Sequence, residues 1–161
     1  MKNKYKALLL LIVSTVIISS CGSMRTASGP ASPSRSSFVG TWTLNNVSYT
    51  NLVEGAVQTV FDQAPPKDFI GSTWELTNSG NGSYTLANGA KQDIFWSVNA
   101  GDALGPIFQF KKLNQGQAAK NVTTGYQMVI SNNTGTSMTL KTLIFMGGKN
   151  GYVVYTFSKI K

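Results

Sequence analysis

The chain has 161 residues, with 14 basic and 6 acidic side chains, one cysteine and no histidine, and its net charge is +8. Without histidine, Ser-His-Asp triads, Cys-His pairs and zinc sites built on imidazole are excluded. The single cysteine, Cys21, cannot form a disulfide within one chain.

The N-terminus has the pattern of a secretion signal. Met1–Lys6 carries three lysines, and an unbroken apolar run follows from Ala7 to Val13. A basic segment followed by a short apolar one is typical of a signal peptide. The run is shorter than the ~20 apolar residues that a membrane-spanning helix needs. We therefore predict that residues 1–20 are cleaved and not retained as a transmembrane helix.

The end of this segment, Ile18-Ser19-Ser20-Cys21, resembles the lipobox of bacterial lipoproteins. The resemblance implies that Cys21 is the lipid-attachment residue, with acyl chains such as palmitate holding the mature protein on a membrane. Several acyl chains give stable anchoring, whereas one alone binds only marginally. The alternative is an ordinary signal peptide with a chance cysteine beside its cleavage site.

Loss of the signal lowers the positive charge of the protein. Lys2, Lys4 and Lys6 leave with it, so 11 of the 14 basic residues remain against 6 acidic ones, a net charge of +5. The basic residues are scattered, with Lys111-Lys112 the only adjacent pair. We therefore expect no nucleic-acid partner, and a solvated basic surface near anionic lipid is the favoured interpretation.

A tether follows the lipidated cysteine. Residues 22–37 read GSMRTASGPASPSRSS, which is rich in Ser, Gly and Pro and has no apolar period. A flexible segment of about 15 residues has a reach of roughly 20 Å. The predicted organisation is a signal peptide over 1–20, a lipidated cysteine and tether over 21–37, and one domain over 38–161.

The domain reads as all-β because its apolar residues mostly alternate with polar ones. We predict eight strands, near Gly40–Tyr49, Ser72–Thr77, Ser83–Ala87, Gln92–Val98, Ile107–Lys111, Gly125–Ser131, Ser137–Phe145 and Gly151–Lys159. Asn- and Gly-rich turns join them at 78–82, 88–89, 132–135 and 147–151. About eight antiparallel strands in a meander favour an up-and-down barrel, with a two-sheet sandwich as the alternative.

The alternation also predicts which side chains face the interior. They are Trp74, Leu76, Tyr84, Leu86, Ile94, Trp96, Val98, Phe108, Phe110, Tyr126, Met128, Ile130, Val153, Tyr155 and Phe157. Each taken alone fits a plain core position, but the set is aromatic enough to line a cavity. The candidate ligand-binding residues are Val57, Phe61, Trp74, Tyr84, Trp96, Phe108, Tyr126 and Tyr155.

One segment departs from the β pattern. Apolar residues between Leu52 and Phe61 fall at helical spacing, and Asn51 with Glu54 resembles a capping box. We predict a helix of about three turns between strands 1 and 2, ended by Pro65-Pro66, that either plugs the barrel or gates a ligand. Asp62, Lys67 and Asp68 are candidates for the rim of an opening.

The segment Phe38-Val-Gly40-Thr-Trp42, at the start of the first strand, resembles the Gly-x-Trp motif of lipocalins, which fatty-acid-binding proteins and avidins share. Residues 38–161 are similar to the lipocalin-like domains of Bacteroidetes lipoproteins. The resemblance implies a lipocalin-like barrel in which Trp42 packs across the closed end and a basic residue of the last strand, here Lys159, lies over its ring. Gly40, Trp42 and Lys159 would then be structural.

Three functions remain open. The first is a membrane-anchored barrel that binds a small hydrophobic or amphipathic ligand, which predicts an apolar cavity. The second is a filled barrel that serves as an interaction or assembly subunit, which predicts a solid core and an exposed apolar patch; the sequence identifies no protein partner. The third is a hydrolase using Glu75 and Asp93, although strand parity places both toward solvent. We expect no enzyme activity, cofactor or metal, and a location on the periplasmic face of the outer membrane.

Overall fold

The described part of the chain is a closed barrel of eight antiparallel strands. The computed structural model describes residues 33–161, so the predicted signal peptide, Cys21 and residues 22–32 of the predicted tether lie outside the described residues. The strands are β1 (Gly40–Thr50), β2 (Thr73–Leu76), β3 (Asn81–Thr85), β4 (Lys91–Asp102), β5 (Gly105–Leu113), β6 (Tyr126–Asn133), β7 (Ser137–Met146) and β8 (Lys149–Lys159). The predicted all-β class and the eight strands are confirmed.

Each strand pairs with its neighbours in sequence, and β1 also pairs with β8, which closes the ring. The meander is therefore an up-and-down barrel, and the sandwich alternative is wrong. Closure removes both exposed sheet edges. Four tight connections carry positive-φ glycines where the sequence predicts turns, at Gly80, Gly89, Gly135 and the pair Gly147-Gly148. Successive side chains along each strand then point alternately to the interior and to the outer face of the barrel.

The interior positions that alternation predicts are buried or, at Val98 and Tyr126, half-buried.

One end of the barrel, which we call the closed end, is covered by the 3-10 turn Arg35–Phe38. The ring centroid of Phe38 lies 6.3 Å from that of Trp96 and 5.8 Å from that of Phe108. Arg35, which the composition places in the tether, thus belongs to the folded domain.

The predicted helix between strands 1 and 2 does not form, so that prediction is wrong. Residues 51–65, which we call the strap, run as turns and irregular chain, and only a 3-10 turn, Pro66–Phe69, follows them. Gly55 in the middle has φ +85° and Asn51 has φ +54°, both outside helical geometry. The β-branched residues around Gly55 add little helix propensity to offset this. Within residues 33–161, no helix is long and apolar enough to cross a membrane.

Candidate ligand site at the barrel mouth

The strap crosses the end of the barrel opposite the closed end, which we call the mouth. Its residue Phe61 is 6% exposed, and the Phe61 ring lies inside the barrel, where a ligand could otherwise bind. The ring centroid of Phe61 lies 5.1 Å from Phe110, 5.3 Å from Phe69 and 5.7 Å from both Tyr126 and Tyr155. The contacts with Phe110, Phe69 and Tyr126 are edge-to-face, and such contacts at these distances are favourable beyond the area that they bury. The mouth is therefore filled by a side chain of the protein itself.

The backbone that presents Phe61 is strained. Val60 N–H donates to Ala64 O at 2.9 Å, and Gln63 N–H donates to Val60 O at 3.2 Å, so the chain reverses within five residues. Phe61 and Asp62 at the tip have φ of +54° and +47°. A bulky residue in the left-handed region is unusual, and each such residue costs about 1–3 kcal/mol when its surroundings hold it there. Contacts of the side chains with the barrel have to supply that energy.

Three polar side chains of the barrel hold the tip of the strap. Lys112 Nζ donates to Phe61 O at 3.0 Å, and the Tyr126 hydroxyl donates to Asp62 Oδ2 at 3.0 Å. The Tyr84 hydroxyl donates to Gln63 Oε1. All three donors face acceptors of the strap. The mouth therefore offers one cationic and two hydroxyl donors above an aromatic interior.

Burial keeps these tyrosines protonated. Burial is the largest cause that raises the pKa of Tyr126 to about 12, and its hydrogen bond to Asp62 and the charge of that carboxylate add to the shift. Burial also raises the pKa of Tyr84 and of Tyr155 well above the usual tyrosine value. The hydroxyls of Tyr84 and Tyr126 are thus donors throughout the physiological range.

Beneath Phe61 the interior is packed ring against ring. Trp74 stacks on Tyr84 with centroids 4.7 Å apart, and Trp96 stacks on Phe108 at 5.7 Å. The indole N–H of Trp74 donates to the buried Ser72 hydroxyl at 3.0 Å. In this conformation the described interior is filled with aromatic side chains.

Some buried polar atoms within the described barrel have no hydrogen-bond partner. They include the hydroxyls of Tyr155 and Thr142 and the indole nitrogen of Trp96. Leu140 pairs with Tyr155 and Thr142 with Val153, so Tyr155 and Thr142 are diagonal neighbours on adjacent strands, and their hydroxyls interact without reaching hydrogen-bond geometry. A buried polar group without a partner costs about 1–3 kcal/mol. Such groups inside a barrel are candidate contacts for polar atoms of a ligand.

The closed end shows the arrangement that the lipocalin resemblance implies. Lys159 Nζ lies 5.3 Å from the centroid of the Trp42 ring, and the Trp42 indole N–H donates to Phe38 O at 2.7 Å. A Cβ on Gly40 would lie 2.3 Å from Lys161 O and 2.4 Å from Lys159 Cε, so the close approach requires glycine. The sequence did not single out Arg35, whose Cζ lies 4.7 Å from the centroid of the Trp96 ring.

The structure brings together five of the eight candidate ligand-binding residues. Trp74, Tyr84, Tyr126 and Tyr155 surround Phe61 or lie directly below it. Val57 lies at the rim, half-buried, beside a cleft of about 170 Å3. Trp96 and Phe108 lie deeper, against Phe38 at the closed end.

Sequence reasoning missed Lys112, Gln63, Phe69 and Phe110 as parts of the mouth. Phe110 was predicted to face inward, but without a role. Lys112 follows it by two residues and therefore shares its face, so parity contained the signal for a lysine at the mouth. Of the predicted rim residues, Asp62 contacts Tyr126, whereas Lys67 and Asp68 are exposed on the 3-10 turn.

Two features lie on the outer face of the barrel. Glu75 and Asp93 are exposed and flank Ser83 across β3, in register with it. A cavity of about 390 Å3 lies between the outer side of β4–β5 and the loop to β6, lined by Phe95, Gln109 and Lys120 among others.

No protein-family model matches the chain, and no curated protein is similar to it.

Proposed function

We propose that the protein is a membrane-anchored lipoprotein whose lipocalin-like barrel binds a small amphipathic ligand at its mouth, in exchange for the Phe61 side chain. The observation that carries the proposal is the self-occupied mouth. An aromatic side chain on a strained backbone fills it, and three polar donors hold the segment from the barrel side. Strain stored at a clamp is typical of segments that move during function.

The chemistry of the mouth defines the ligand class. The space that Phe61 leaves would take an apolar group about the size of a phenyl ring. All three donors of the mouth are now hydrogen-bonded to oxygen atoms of the strap. Lys112 donates to Phe61 O, Tyr84 donates to Gln63 Oε1, and Tyr126 donates to the Asp62 carboxylate. A ligand that replaces the strap has to present acceptors to the same donors. We infer a compact amphipathic molecule with a carboxylate or similar acceptor head.

The anchor belongs to the same proposal through Cys21, at the end of the lipobox-like segment. Lipidation there would hold the barrel at the cell envelope, on the periplasmic face of the outer membrane. The mass of the intact protein from its own host tests this directly. A chain that begins at Cys21 and carries acyl chains supports the anchor, and an unmodified Cys21 overturns it.

Ligand binding is tested by native mass spectrometry of the host-purified protein together with lipid extraction. Titration with medium-chain carboxylates and the matching alcohols, followed by the tryptophan fluorescence of the protein, then probes the mouth. Phe61→Ala should bind the carboxylates about tenfold or more tightly, because the competing side chain is gone. Lys112→Gln should reduce the preference for carboxylate over alcohol, whereas Lys91→Gln, on an exposed lysine at the start of β4, should not.

The carrier proposal fails if the host protein is empty and neither the natural chain nor Phe61→Ala responds to any of these molecules. A filled barrel that acts as an interaction or assembly subunit would then be the better account. The packed aromatic interior favours this second candidate, as do Phe145, 73% exposed, and Val53, 79% exposed. Recovery of one protein at constant stoichiometry with the host-purified chain would support it.

A further inference from the structure

The two halves of the barrel carry opposite charge. All six acidic residues of the chain lie at or before Asp102, the last residue of β4. From Ala103 to Lys161 there are seven lysines and no Asp or Glu. Strands β5–β8 are neighbours in the ring, so they form one continuous acid-free side of the barrel. A charge asymmetry between halves of a chain indicates interaction with a polyanionic surface.

The outer face of the same strands is unusually apolar. Ile107 pairs with Val129, Val129 with Lys141, and Leu143 with Tyr152, all at outward positions. Ile107, Val129 and Leu143 line one shallow groove of about 210 Å3 on this face. The outer side of an antiparallel sheet is ordinarily polar where it faces water. The half-buried Val129 and Leu143 therefore indicate an outer side that meets something other than water, whereas Ile107, 8% exposed, is already shielded by the chain.

The hairpin between β7 and β8 extends this face at the mouth. Its tip exposes Phe145 to 73% and Met146 to 48%, followed by Gly147-Gly148 and the exposed Lys149. Lys141 Nζ lies 5.9 Å from the centroid of the Tyr152 ring on the outer face of the same hairpin. Aromatic and apolar side chains flanked by lysines match the interfacial region of an anionic bilayer.

We propose that the outer side of β5–β8, with the β7–β8 tip, is a docking surface for an anionic lipid bilayer. Charge complementarity carries the choice of occupant, because Lys141 and Lys149 lie on this side and have no acidic neighbour on β5–β8 to neutralise them. Phe145 and Met146 enter the headgroup region, and Lys141 and Lys149 lie at the phosphates. This surface goes beyond the proposed function, since it orients the barrel on the membrane whether or not the interior binds a ligand.

Depth-dependent fluorescence quenching tests the docking surface on the full chain as its host processes it. The protein is added to vesicles of brominated phosphatidylcholine, with or without phosphatidylglycerol. Phe145→Trp supplies the reporter, because the natural tryptophans are at most 2% exposed. Ala87→Trp is the matched control, exposed in the β3–β4 turn at the same end of the barrel but on the acidic half. We expect strong quenching of Trp at 145, weak quenching at 87, and a requirement for phosphatidylglycerol.

The contribution of charge is tested in the Phe145→Trp background. Lys141→Gln with Lys149→Gln should weaken the quenching interaction roughly tenfold to thirtyfold, as expected for two lysines near an anionic surface. Lys67→Gln with Lys91→Gln removes the same charge from the other half and should have little effect. High salt should abolish the difference between the two pairs.

Equal quenching at positions 145 and 87, or equal quenching without phosphatidylglycerol, overturns the proposal. So does the absence of quenching at 145, in which case the apolar face would be a protein contact. The comparison of positions 145 and 87 does not depend on Cys21, because an acyl anchor would bring both variants to the vesicle equally. None of these readouts depends on Phe61 or Lys112, so failure here and failure of the ligand proposal are distinguishable.

Discussion

The two ends of the barrel are both covered by short segments of the chain, but the segments differ in strain. At the closed end, the residues that flank the turn Arg35–Phe38 have ordinary φ of −60° and −64°. The Trp42 indole N–H donates to Phe38 O, and Lys159 Nζ lies over the Trp42 ring. At the mouth, Phe61 and Asp62 have positive φ and are held by side chains of the barrel. The difference is what we expect of a permanent end and an exchangeable one.

The largest effect should come from breaking the permanent end. Trp42→Ala removes a fully buried indole, and the loss of a buried Trp or Phe costs about 3–5 kcal/mol. It also leaves Phe38 O without its donor, so the turn Arg35–Phe38 should loosen. Urea denaturation measures the free energy of unfolding. A loss below about 1 kcal/mol would contradict the role assigned to Trp42.

Phe61→Ala should cost less, although Phe61 is also buried. The lost ring contacts belong to the same class, but the strap can relax from its left-handed conformation once the ring is gone. We expect a loss of about 1–3 kcal/mol in the same urea experiment, with native-like circular dichroism. Phe69→Ala is the matched control, because Phe69 is also buried, at 0% exposed against 6% for Phe61, but lies outside the strained tip. A larger loss for Phe61→Ala than for Phe69→Ala would contradict an exchangeable mouth.

The fold was largely predictable from the sequence, and the mouth was not. Strand parity, Gly- and Asn-rich turns and Gly40-x-Trp42 are local signals, and all eight strands follow from them. The strap failed because its apolar spacing fits a helix, whereas Gly55 and the fit of Phe61 into the barrel decided the outcome. The charge asymmetry was visible in the sequence, but its meaning required the barrel to place β5–β8 side by side.

Tyr155→Phe should change the free energy of unfolding less than the two substitutions above, and it should raise it instead of lowering it. The buried Tyr155 hydroxyl interacts with the Thr142 hydroxyl without reaching hydrogen-bond geometry, so its removal should raise the free energy of unfolding by about 1 kcal/mol. Tyr152→Phe, on the half-exposed outer face, should change stability little. If the hydroxyl contacts a ligand, the stabilised Tyr155→Phe variant should also bind that ligand more weakly. A clear loss of stability would show that the hydroxyl has a partner in solution.

The smallest effect is a selective response of the mouth to alkaline pH. Within residues 33–161 the tyrosines are Tyr49, Tyr84, Tyr126, Tyr152 and Tyr155, and none lies at the closed end. The pKa of Tyr126 is raised from about 10 in the unfolded chain to about 12 in the fold, so the folded state holds this proton more tightly. The contribution of Tyr126 to stability is therefore complete below pH 10 and is lost as the pH rises to about 12. Its ionisation breaks the donation to Asp62 and places two negative charges together, so the strap should loosen while the closed end stays intact. Tyrosinate absorbance should show one tyrosine that titrates near pH 12 and that Tyr126→Phe removes, with Tyr84 and Tyr155 titrating later still in both proteins. If the absorbance change near pH 12 is the same in Tyr126→Phe, then Tyr126 does not hold the strap.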